Sequence, residues 1–371
     1  MSQHERNAFF GSLISRLIRK ENLTRQEAEE AFGMILKNET GELQQGAFLA
    51  ALSSKGETKE EVAAAWKAIY DLDTVKIEGL DDQALLETSG TGMDTIKTFN
   101  ISTCASLVVA AAGVPVARHG ARALTSRCGT VDMAEALGVD VECPAELVAD
   151  SIRQANLGLF NGMSPTIHPM ALGRILSRIH FGSTLNISAS LANPAFPKRA
   201  VRGVYSSAMI EPVLAAMGEI GFRRALVVHG CAAGSEKGMD EASVCGETIC
   251  AELTETGTTR RFAFFPGDLG LGSYSSVELA PELDLERGTV DFLKILLGKG
   301  THARRDSVIL NAALGLYVAG VSSTLQQGVH TAREILASGA ALDSLRNWVR
   351  HQNRQPEAAL ERLASLERKA G

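Results

Sequence analysis

The sequence predicts an α/β protein, in which a small all-helical domain precedes a larger α/β domain with a mainly parallel central sheet flanked by helices. Three observations predict this architecture. Apolar residues recur at helical spacing through the first 75 residues. From about residue 83, short apolar runs alternate with loops and helical segments, as is typical of a parallel α/β sheet. The length of 371 residues suits two domains rather than one.

The helical domain is predicted from three apolar stripes, each with the spacing of one helix face. They consist of Phe10, Leu13, Ile14 and Leu17; of Ala28, Phe32, Ile35 and Leu36; and of Val62, Ala65, Trp66 and Ile69. Two helices begin at capping boxes, in which a threonine precedes a glutamate by three residues: Thr24 with Glu27, and Thr58 with Glu61. We find no catalytic motif in this domain.

The α/β domain is predicted from apolar runs that end in turns. Predicted strands cover residues 85–86, 114–117, 157–160 and 224–229, and residues 249–253 and 261–265 form a hairpin around Thr256 and Gly257. Predicted helices cover residues 103–112, 308–318, 325–337 and 342–348. Pro144 opens another helix, because proline is favoured at a helix start, and a further helix carries Arg174 and Arg178.

The composition indicates a globular protein with a small, anionic partner. Hydrophobic residues make up 45% and charged residues 22% of the chain, so neither disorder nor a fibrous class is indicated. The net charge of -6 argues against a broad basic surface for nucleic acid. The six cysteines show neither a CxxC pair nor zinc-ligand spacing, which predicts buried or free thiols. We find no signal peptide and no membrane span, and we therefore expect a cytoplasmic protein.

A glycine turn and a helix start form the first candidate site. Gly90, Thr91 and Gly92 follow an apolar pair, and Asn100, Ser102 and Thr103 lie where the next helix should begin. Backbone N–H groups of such a turn and of a helix N-terminus bind phosphate. Asp94 lies between these donors and would repel a phosphate unless a divalent cation, most naturally Mg²⁺, came between them. Taken alone, the segment is also compatible with a polar turn and a helix cap.

Two further groups of polar residues follow predicted strands. After the strand at 114–117 come His119, Gly120, Arg122, Ser126, Arg127, Gly129 and Asp132. After the strand at 224–229, a glycine-rich loop leads to Asp240 and Glu241, which can approach a divalent ion together or can simply be solvated acids. Successive parallel strands deliver such residues to one edge of the sheet, the usual place for a ligand.

The motifs occur in an order that resembles the anthranilate phosphoribosyltransferases. They are GTGMDTIKTFNIST, ARHGAR, TSRCGTVDMAEALG, SPTIHP, LANPA, ALVVHG, GMDE and VILNAALGLYVAG, and they span nearly the whole chain. The resemblance implies a pentosyltransferase that transfers ribose 5-phosphate from phosphoribosyl pyrophosphate (PRPP) to the amine of anthranilate, in tryptophan biosynthesis. It also implies a homodimer formed through the helical domain.

The resemblance further implies domain boundaries. Residues 1–75 would form the helical domain, with a return excursion at about 164–194, and residues 76–163 and 195–371 would form the PRPP-binding domain. This arrangement would leave a cleft between the two domains. The reaction needs no covalent nucleophile, which agrees with the lack of a GxSxG motif.

By resemblance, three sets of residues are assigned to the site. PRPP would be bound by Gly90, Thr91, Gly92, Asp94, Asn100, Ser102, Thr103, Arg118, Ser126 and Gly129. Two Mg²⁺ ions would be served by Ser102, Asp240 and Glu241. The acceptor, an aromatic amine, would be bound by His119, Gly120, Ala121, His168, Arg174 and Arg178. His119 is equally compatible with a structural, hydrogen-bonded histidine.

Several residues depart from the family pattern. On the PRPP side, Met93 and Thr95 stand where the family has glycine, and a side chain there is expected to obstruct close approach of the pyrophosphate, while Arg118 replaces the family's lysine and keeps a cation suited to phosphate. On the acceptor side, Ala121 replaces the family's asparagine that contacts anthranilate. Three further family features are absent in register: the arginine pair, the RT dipeptide before FN and the GP dipeptide before NP. Two alternatives therefore stay open: a different aromatic acceptor, or a non-catalytic relative that binds anions or nucleic acid. Net acidity and the acidic pair at 240–241 count against the second.

Overall fold

The computed structural model describes residues 2–80, 84–123 and 128–371. Four helices open the chain: α1 (Gln3–Ile18), α2 (Arg25–Leu36), α3 (Glu42–Lys55) and α4 (Lys59–Asp73). The three predicted stripes lie on α1, α2 and α4, and both capping boxes are confirmed at Thr24 and Thr58. Helix α3 was not predicted. It starts at Gly41, which offers no capping side chain, although it buries Phe48, Leu49 and Leu52.

The α/β part begins with two strand–helix units and a third strand. In chain order its elements are β1 (Leu86–Gly90), α5 (Ile101–Ala111), β2 (Val116–Gly120), α6 (Thr130–Ala136), α7 (Ala145–Ala155) and β3 (Leu157–Asn161). Pro144 is the N-cap of α7, as predicted. The predictions for β1 and β2 ended too early: Gly90 and His119 lie within strands, because backbone pairing with neighbouring strands continues through both residues.

The chain then makes an excursion and returns to the sheet. Helices α8 (Leu172–Ile179) and α9 (Thr184–Leu191) form the excursion. They are followed by β4 (Arg199–Gly203), α10 (Ile210–Ile220), β5 (Arg224–Cys231) and the two-residue β6 (Gly238–Met239). The predicted hairpin is confirmed as β7 (Thr248–Leu253) and β8 (Thr259–Phe264).

Five helices complete the chain. They are α11 (Leu285–Leu296), α12 (His302–Ala319), α13 (Leu325–Ser338), α14 (Ala340–His351) and α15 (Pro356–Ala370). Sequence analysis predicted α12, α13 and α14 and missed α11 and α15. Within the described ranges, we find no helix that is both long and apolar enough to cross a membrane.

The central sheet has the strand order β3-β2-β1-β4-β5-β7-β8, with β6 paired to β5. Pairing is parallel from β3 to β5 and antiparallel from β5 to β8, which confirms a mainly parallel sheet. One face packs on α5, α11, α12 and α14 through a large apolar core. The other face packs on α10, and a second core continues from it through α8 and α9 into the four N-terminal helices.

The excursion ties the helical bundle to the sheet. Trp66 on α4 donates its indole N–H to the carbonyl oxygen of Leu191, at the end of α9, over 3.0 Å. The indole also stacks on Phe196, whose ring centroid lies 5.7 Å away. The carboxyl ends of β1, β2 and β4 therefore face a boundary between two packed units, which is a common place for a ligand.

Candidate active site

The glycine turn closes tightly on the acidic loop at the carboxyl edge of the sheet. The Gly92 N–H donates to the Asp240 Oδ2 atom over 2.6 Å. A Cβ atom at Gly90 would lie 2.2 Å from that same oxygen, and one at Gly203 would lie 1.6 Å from the Asp240 carbonyl oxygen. Glycine is needed at both positions because two backbones and a carboxylate meet there. The structure thus brings the segments at 90–94 and 238–241 together.

Three acidic side chains, Asp94, Asp240 and Glu241, crowd this edge. Burial and then the charge of Asp240 raise the pKa of Asp94 to about 6. The same two causes, in the same order, raise the pKa of Glu241 to about 8. Lys97 partly compensates, since its Nζ atom lies 2.8 Å from the Asp94 Oδ1 atom. Mutually repelling carboxylates would be relieved by a bound cation.

The acidic side chains are not arranged as a complete metal cage. Among residues 2–80, 84–123 and 128–371, no three Asp, Glu, His or Cys side chains form a group that could hold a metal by themselves. Mg²⁺ usually takes one or two carboxylates and completes its shell with substrate phosphate and water. The donors present therefore fit an ion that binds together with a phosphate ligand.

Helix α5 presents its N-terminus to the same place. The N–H of Ser102 donates to the Glu241 Oε1 atom over 3.3 Å, and Asn100 serves as the N-cap residue. Thr91, in the turn opposite, is buried, and its hydroxyl has no hydrogen-bond partner among the residues that the structure describes. A helix N-terminus with a neighbouring glycine turn forms an anion site without further charged groups.

Arg118 lies beneath this helix start rather than on the open surface. Its guanidinium donates to the Thr88 carbonyl oxygen over 3.1 Å, to the Thr103 hydroxyl over 2.5 Å and to the Ser102 hydroxyl over 2.9 Å. Burial lowers its pKa to about 10. Arg118 thus fixes the two hydroxyls that the sequence assigned to phosphate, while its own contact with phosphate stays a prediction.

The loop after β2 is held by one carboxylate. Asp132 accepts hydrogen bonds from the N–H groups of Ala123 and Gly129, each over 2.9 Å. Asn100 donates to the Gly129 carbonyl oxygen over 3.3 Å, which joins this loop to the start of α5. Ser126, also predicted to contact PRPP, lies outside the described residues.

The predicted acceptor residues fall into two groups. His119, Gly120, Ala121 and His168 lie together: the His119 Nε2 atom is 2.9 Å from the His168 Nε2 atom, and Gly120 and Ala121 follow His119 directly. Arg174 instead donates to Gln45 and to the Ile35 carbonyl oxygen, over 3.3 and 3.2 Å. Arg178 is exposed and pairs with Glu42. Both arginines are thus engaged with the N-terminal helices.

Met93 contacts the excursion across the cleft. Its Sδ atom occupies the space beside Gly182, where a Cβ atom at Gly182 would lie only 2.4 Å away. The contact joins the centre of the glycine turn to the segment between α8 and α9. The Met93 side chain therefore lies against the excursion.

Sequence analysis missed four polar residues on the sheet face covered by α9. Glu87, Ser89 and Arg202 lie on β1 and β4, where Ser89 is the register partner of Arg202, and Ser190 covers them from α9. Charged residues within a central strand are rare. Arg202, inside the run AVRGV, was the available signal.

Comparisons with known proteins agree with this geometry. The family model for the glycosyl transferase family a/b domain matches residues 82–342, and that for its helical bundle domain matches residues 11–72. An anthranilate phosphoribosyltransferase from Methanobrevibacter smithii is 35% identical over 92% of this chain and 98% of its own length. One from Myxococcus xanthus is 36% identical over 90% of this chain and 96% of its own length.

The chain belongs to the anthranilate phosphoribosyltransferase family. Among solved structures, the anthranilate phosphoribosyltransferase of Thermus thermophilus superposes with a TM-score of 0.80 at 32% identity, over 92% of this chain and 99% of the other. The fold is also shared with the anthranilate phosphoribosyltransferase of Saccharomyces cerevisiae in complex with PRPP and Mg, at a TM-score of 0.79 and 22% identity, over 93% of this chain and 98% of the other.

Proposed function

We propose that this chain transfers the 5-phosphoribosyl group of PRPP to the amine of anthranilate, releasing pyrophosphate, as a step in tryptophan biosynthesis. The observation that carries the proposal is the meeting of three segments at one edge of the sheet. These are the glycine turn at 90–92, the N-terminus of α5 and the acidic pair at 240–241. Relatives that share most of the chain are named for this activity.

The reaction asks the protein for charge stabilisation and positioning. The bond from C1 of the ribose to the pyrophosphate oxygen breaks, a bond from C1 to the amine nitrogen forms, and the nitrogen then loses one proton. Positive charge develops on the ribose ring, so acidic side chains near it are favourable, while the phosphates need N–H donors. The turn and the start of α5 supply those donors. The acceptor amine is conjugated with its ring and is neutral at pH 7.

Mg²⁺ fits the acidic edge, and a yeast relative of this fold carries both PRPP and Mg. Asp240 and Glu241, with the Ser102 hydroxyl, are the residues that would hold it. When bound, the ion neutralises charge on the pyrophosphate and makes it a better leaving group. We propose two ions, because three carboxylates share the edge and the ligand brings two phosphate groups to it.

A second candidate function keeps the chemistry and changes the acceptor to another aromatic amine or acid. It is favoured by Ala121, which offers no side-chain hydrogen bond, and by the engagement of Arg174 and Arg178 with the N-terminal helices. Calorimetric titration of PRPP with Mg²⁺, followed by a mass-spectrometric screen of aromatic amines, tests both. Phosphoribosylated anthranilate supports the first candidate, and a different product supports the second. Failure to bind PRPP would overturn both.

We further propose a cytoplasmic homodimer formed through the helical domain. Support comes from large apolar side chains exposed on or near that domain. On α1 and α3, Ile18 is 66% exposed and Leu43 is 91% exposed; near α8, Met170 and Phe181 are 50% and 40% exposed. Large apolar side chains that are exposed in one chain are candidates for burial in an interface. Cys104, Cys143, Cys245 and Cys250 are buried thiols, as suits a reducing compartment.

A further inference from the structure

Arg202 is a buried cation at the boundary between the sheet and the excursion. It lies on β4, beside Ser89 of β1, and is only 1% exposed. Its two terminal nitrogens donate to the hydroxyls of Ser89 and Ser190. Both serines are half-buried, so the guanidinium lies directly beneath a partly accessible layer of side chains.

The charge of Arg202 is not matched by an ion pair. Across the described ranges, no carboxylate forms a salt bridge with its guanidinium, although Glu87 and Asp240 are near enough to act on its pKa. Among the described residues, the Nε atom of Arg202 is buried without a hydrogen-bond partner, and the Glu87 carboxylate, which lies near Asn193 and Ser89, makes no hydrogen bond of good geometry. Buried charged groups are normally paired and fully hydrogen-bonded. Such unsatisfied atoms indicate a polar ligand at this face.

His119 contributes an acceptor atom to the same face. The His168 Nδ1–H donates to the Asp73 carbonyl oxygen over 2.6 Å, so the His168 Nε2 atom must accept from the His119 Nε2–H. This leaves a lone pair on the His119 Nδ1 atom, which is buried and makes no hydrogen bond of good geometry within the described residues, although the Ser190 carbonyl group lies near the ring. Arg202 lies close enough for its positive charge to act on this imidazole.

We propose that Arg202 determines acceptor specificity by binding the anionic substituent of the aromatic acceptor, while the His119 Nδ1 atom accepts a hydrogen bond from the acceptor amine. This inference rests on the proposed function and deepens it. Anthranilate carries its carboxylate ortho to its amine. The carboxylate can therefore bind Arg202 while the neighbouring amine donates to the His119 Nδ1 atom. On binding, the carboxylate takes the place of the Ser89 and Ser190 hydroxyls at the guanidinium. Arg202 thereby supplies the cation that Arg174 and Arg178, both engaged elsewhere, do not provide.

The decisive experiment compares anthranilate with anthranilamide, its neutral amide, in the Arg202→Met variant. Methionine keeps much of the side-chain length and removes the charge. We expect the KM for anthranilate to rise about tenfold to a hundredfold, as loss of a charge-assisted contact implies. The KM values for anthranilamide and PRPP should change less than about twofold, and Arg202→Lys should restore part of the affinity for anthranilate.

Arg224→Met is the matched control, because it removes a guanidinium from the first residue of β5, where Arg224 pairs with Glu252 over 3.5 Å. The Arg224→Met variant should leave the KM values for anthranilate, anthranilamide and PRPP unchanged. Equal losses for anthranilate, anthranilamide and PRPP in Arg202→Met would show that Arg202 is structural and would overturn the proposal. An unchanged KM for anthranilate would do the same.

Two measurements separate this proposal from the proposed function. If the unmodified protein binds PRPP but does not turn over anthranilate, the proposed function fails, and calorimetry with benzoate and benzamide in the presence of PRPP tests Arg202 by itself. Preference for benzoate that disappears in Arg202→Met supports the proposal, whereas equal binding of the two compounds contradicts it. If Arg202→Met does not fold, binding of benzoate and benzamide is compared in Arg202→Lys instead. Lysine keeps the positive charge but loses the paired N–H donors of the guanidinium, so the preference for benzoate should weaken.

Discussion

His119 and His168 form a neutral, directly hydrogen-bonded imidazole pair, with 2.9 Å between their Nε2 atoms. His119 belongs to β2 of the sheet, and His168 belongs to the segment before α8, which bonds to the end of α4 through the Asp73 carbonyl oxygen. Burial lowers the pKa of both histidines, and of His119 well below its usual range. This hydrogen bond joins the sheet to the helical bundle, and burial disfavours a positive charge on either ring.

We predict that acid weakens this link. A histidine whose pKa is lowered on folding binds its proton more readily in the unfolded chain, so its stabilising contribution is full above about pH 6.5 and is lost as the pH falls below that value. Between pH 7.5 and 5.5 the loss for His119 should be about 1.4 kcal/mol in the free energy of unfolding. Urea unfolding at both pH values, for the unmodified protein and for His119→Gln, measures it.

Buried carboxyl groups change the pH dependence of the free energy of unfolding in the opposite direction. The unmodified protein and His119→Gln must therefore be compared. Burial raises the pKa of Glu87 to about 7, so Glu87 adds stability as the pH falls from about 7 towards its unfolded value of 4.5. Only the difference in pH dependence between the two proteins isolates His119. His330→Gln, at an exposed histidine on α13, is the control. Identical pH dependence in the unmodified protein and His119→Gln would contradict the neutral pair.

We predict that PRPP binding depends on a divalent cation. Asp94, Asp240 and Glu241 repel one another and would repel a pyrophosphate. Calorimetry with Mg²⁺ should show binding that a chelator abolishes, and Glu241→Gln should weaken the Mg²⁺-dependent affinity at least about tenfold. Glu282→Gln, at a carboxylate that pairs with Arg304 outside the acidic edge, should leave it unchanged. Equal affinity with and without Mg²⁺ would remove the metal role of these carboxylates.

We predict that Ala121→Asn improves the use of anthranilate. Ala121 directly follows β2, two residues beyond His119, and its methyl group cannot hydrogen-bond a carboxylate. An added amide donor should lower the KM for anthranilate by about tenfold, as one charge-assisted hydrogen bond implies, and leave the KM for PRPP unchanged. Steady-state kinetics measure both. Ala112→Asn, at the far end of α5, is the control, and no gain from Ala121→Asn would refute this account of the position.

We predict a homodimer that depends on the apolar surface of α1 and α3. Light scattering should give twice the 39.4 kDa mass of one chain at micromolar concentration. Leu43→Glu should produce a monomer, because it places a charge on a side chain that is 91% exposed in one chain. Val277→Glu, at an exposed apolar residue far along the chain, should leave the dimer intact. A monomeric unmodified protein would show that these apolar side chains need no partner.

Local signals in the sequence were sufficient for most of the fold. The capping boxes at Thr24 and Thr58, the bend at Gly92 and the turn at Thr256 and Gly257 each determine backbone geometry over a few residues, and the structure contains all of them. Helix α3 was missed because its N-cap, Gly41, offers no side chain to signal a start. Strand ends were misplaced because pairing with β3 and β4, rather than local apolarity, decides where β2 and β1 end.

The site was only partly predictable, because its contacts join distant segments. Gly92 and Asp240 are 148 residues apart, and their hydrogen bond follows from the strand order rather than from either motif. The direction of Arg174 depends on which side of α8 packs on the N-terminal helices, which an isolated helical pattern does not reveal. Arg202 was missed because a buried arginine in a strand acquires meaning only when its neighbours are known.

The most direct test of the proposed function is turnover of anthranilate itself. With PRPP and Mg²⁺, the purified protein should consume anthranilate, seen as loss of its fluorescence, and should form one pyrophosphate for each phosphoribosylated product identified by mass. Omitting PRPP or adding chelator should stop the reaction. Absence of the product at saturating PRPP, in a preparation that binds PRPP and Mg²⁺ by calorimetry, would contradict the assignment of anthranilate as the acceptor.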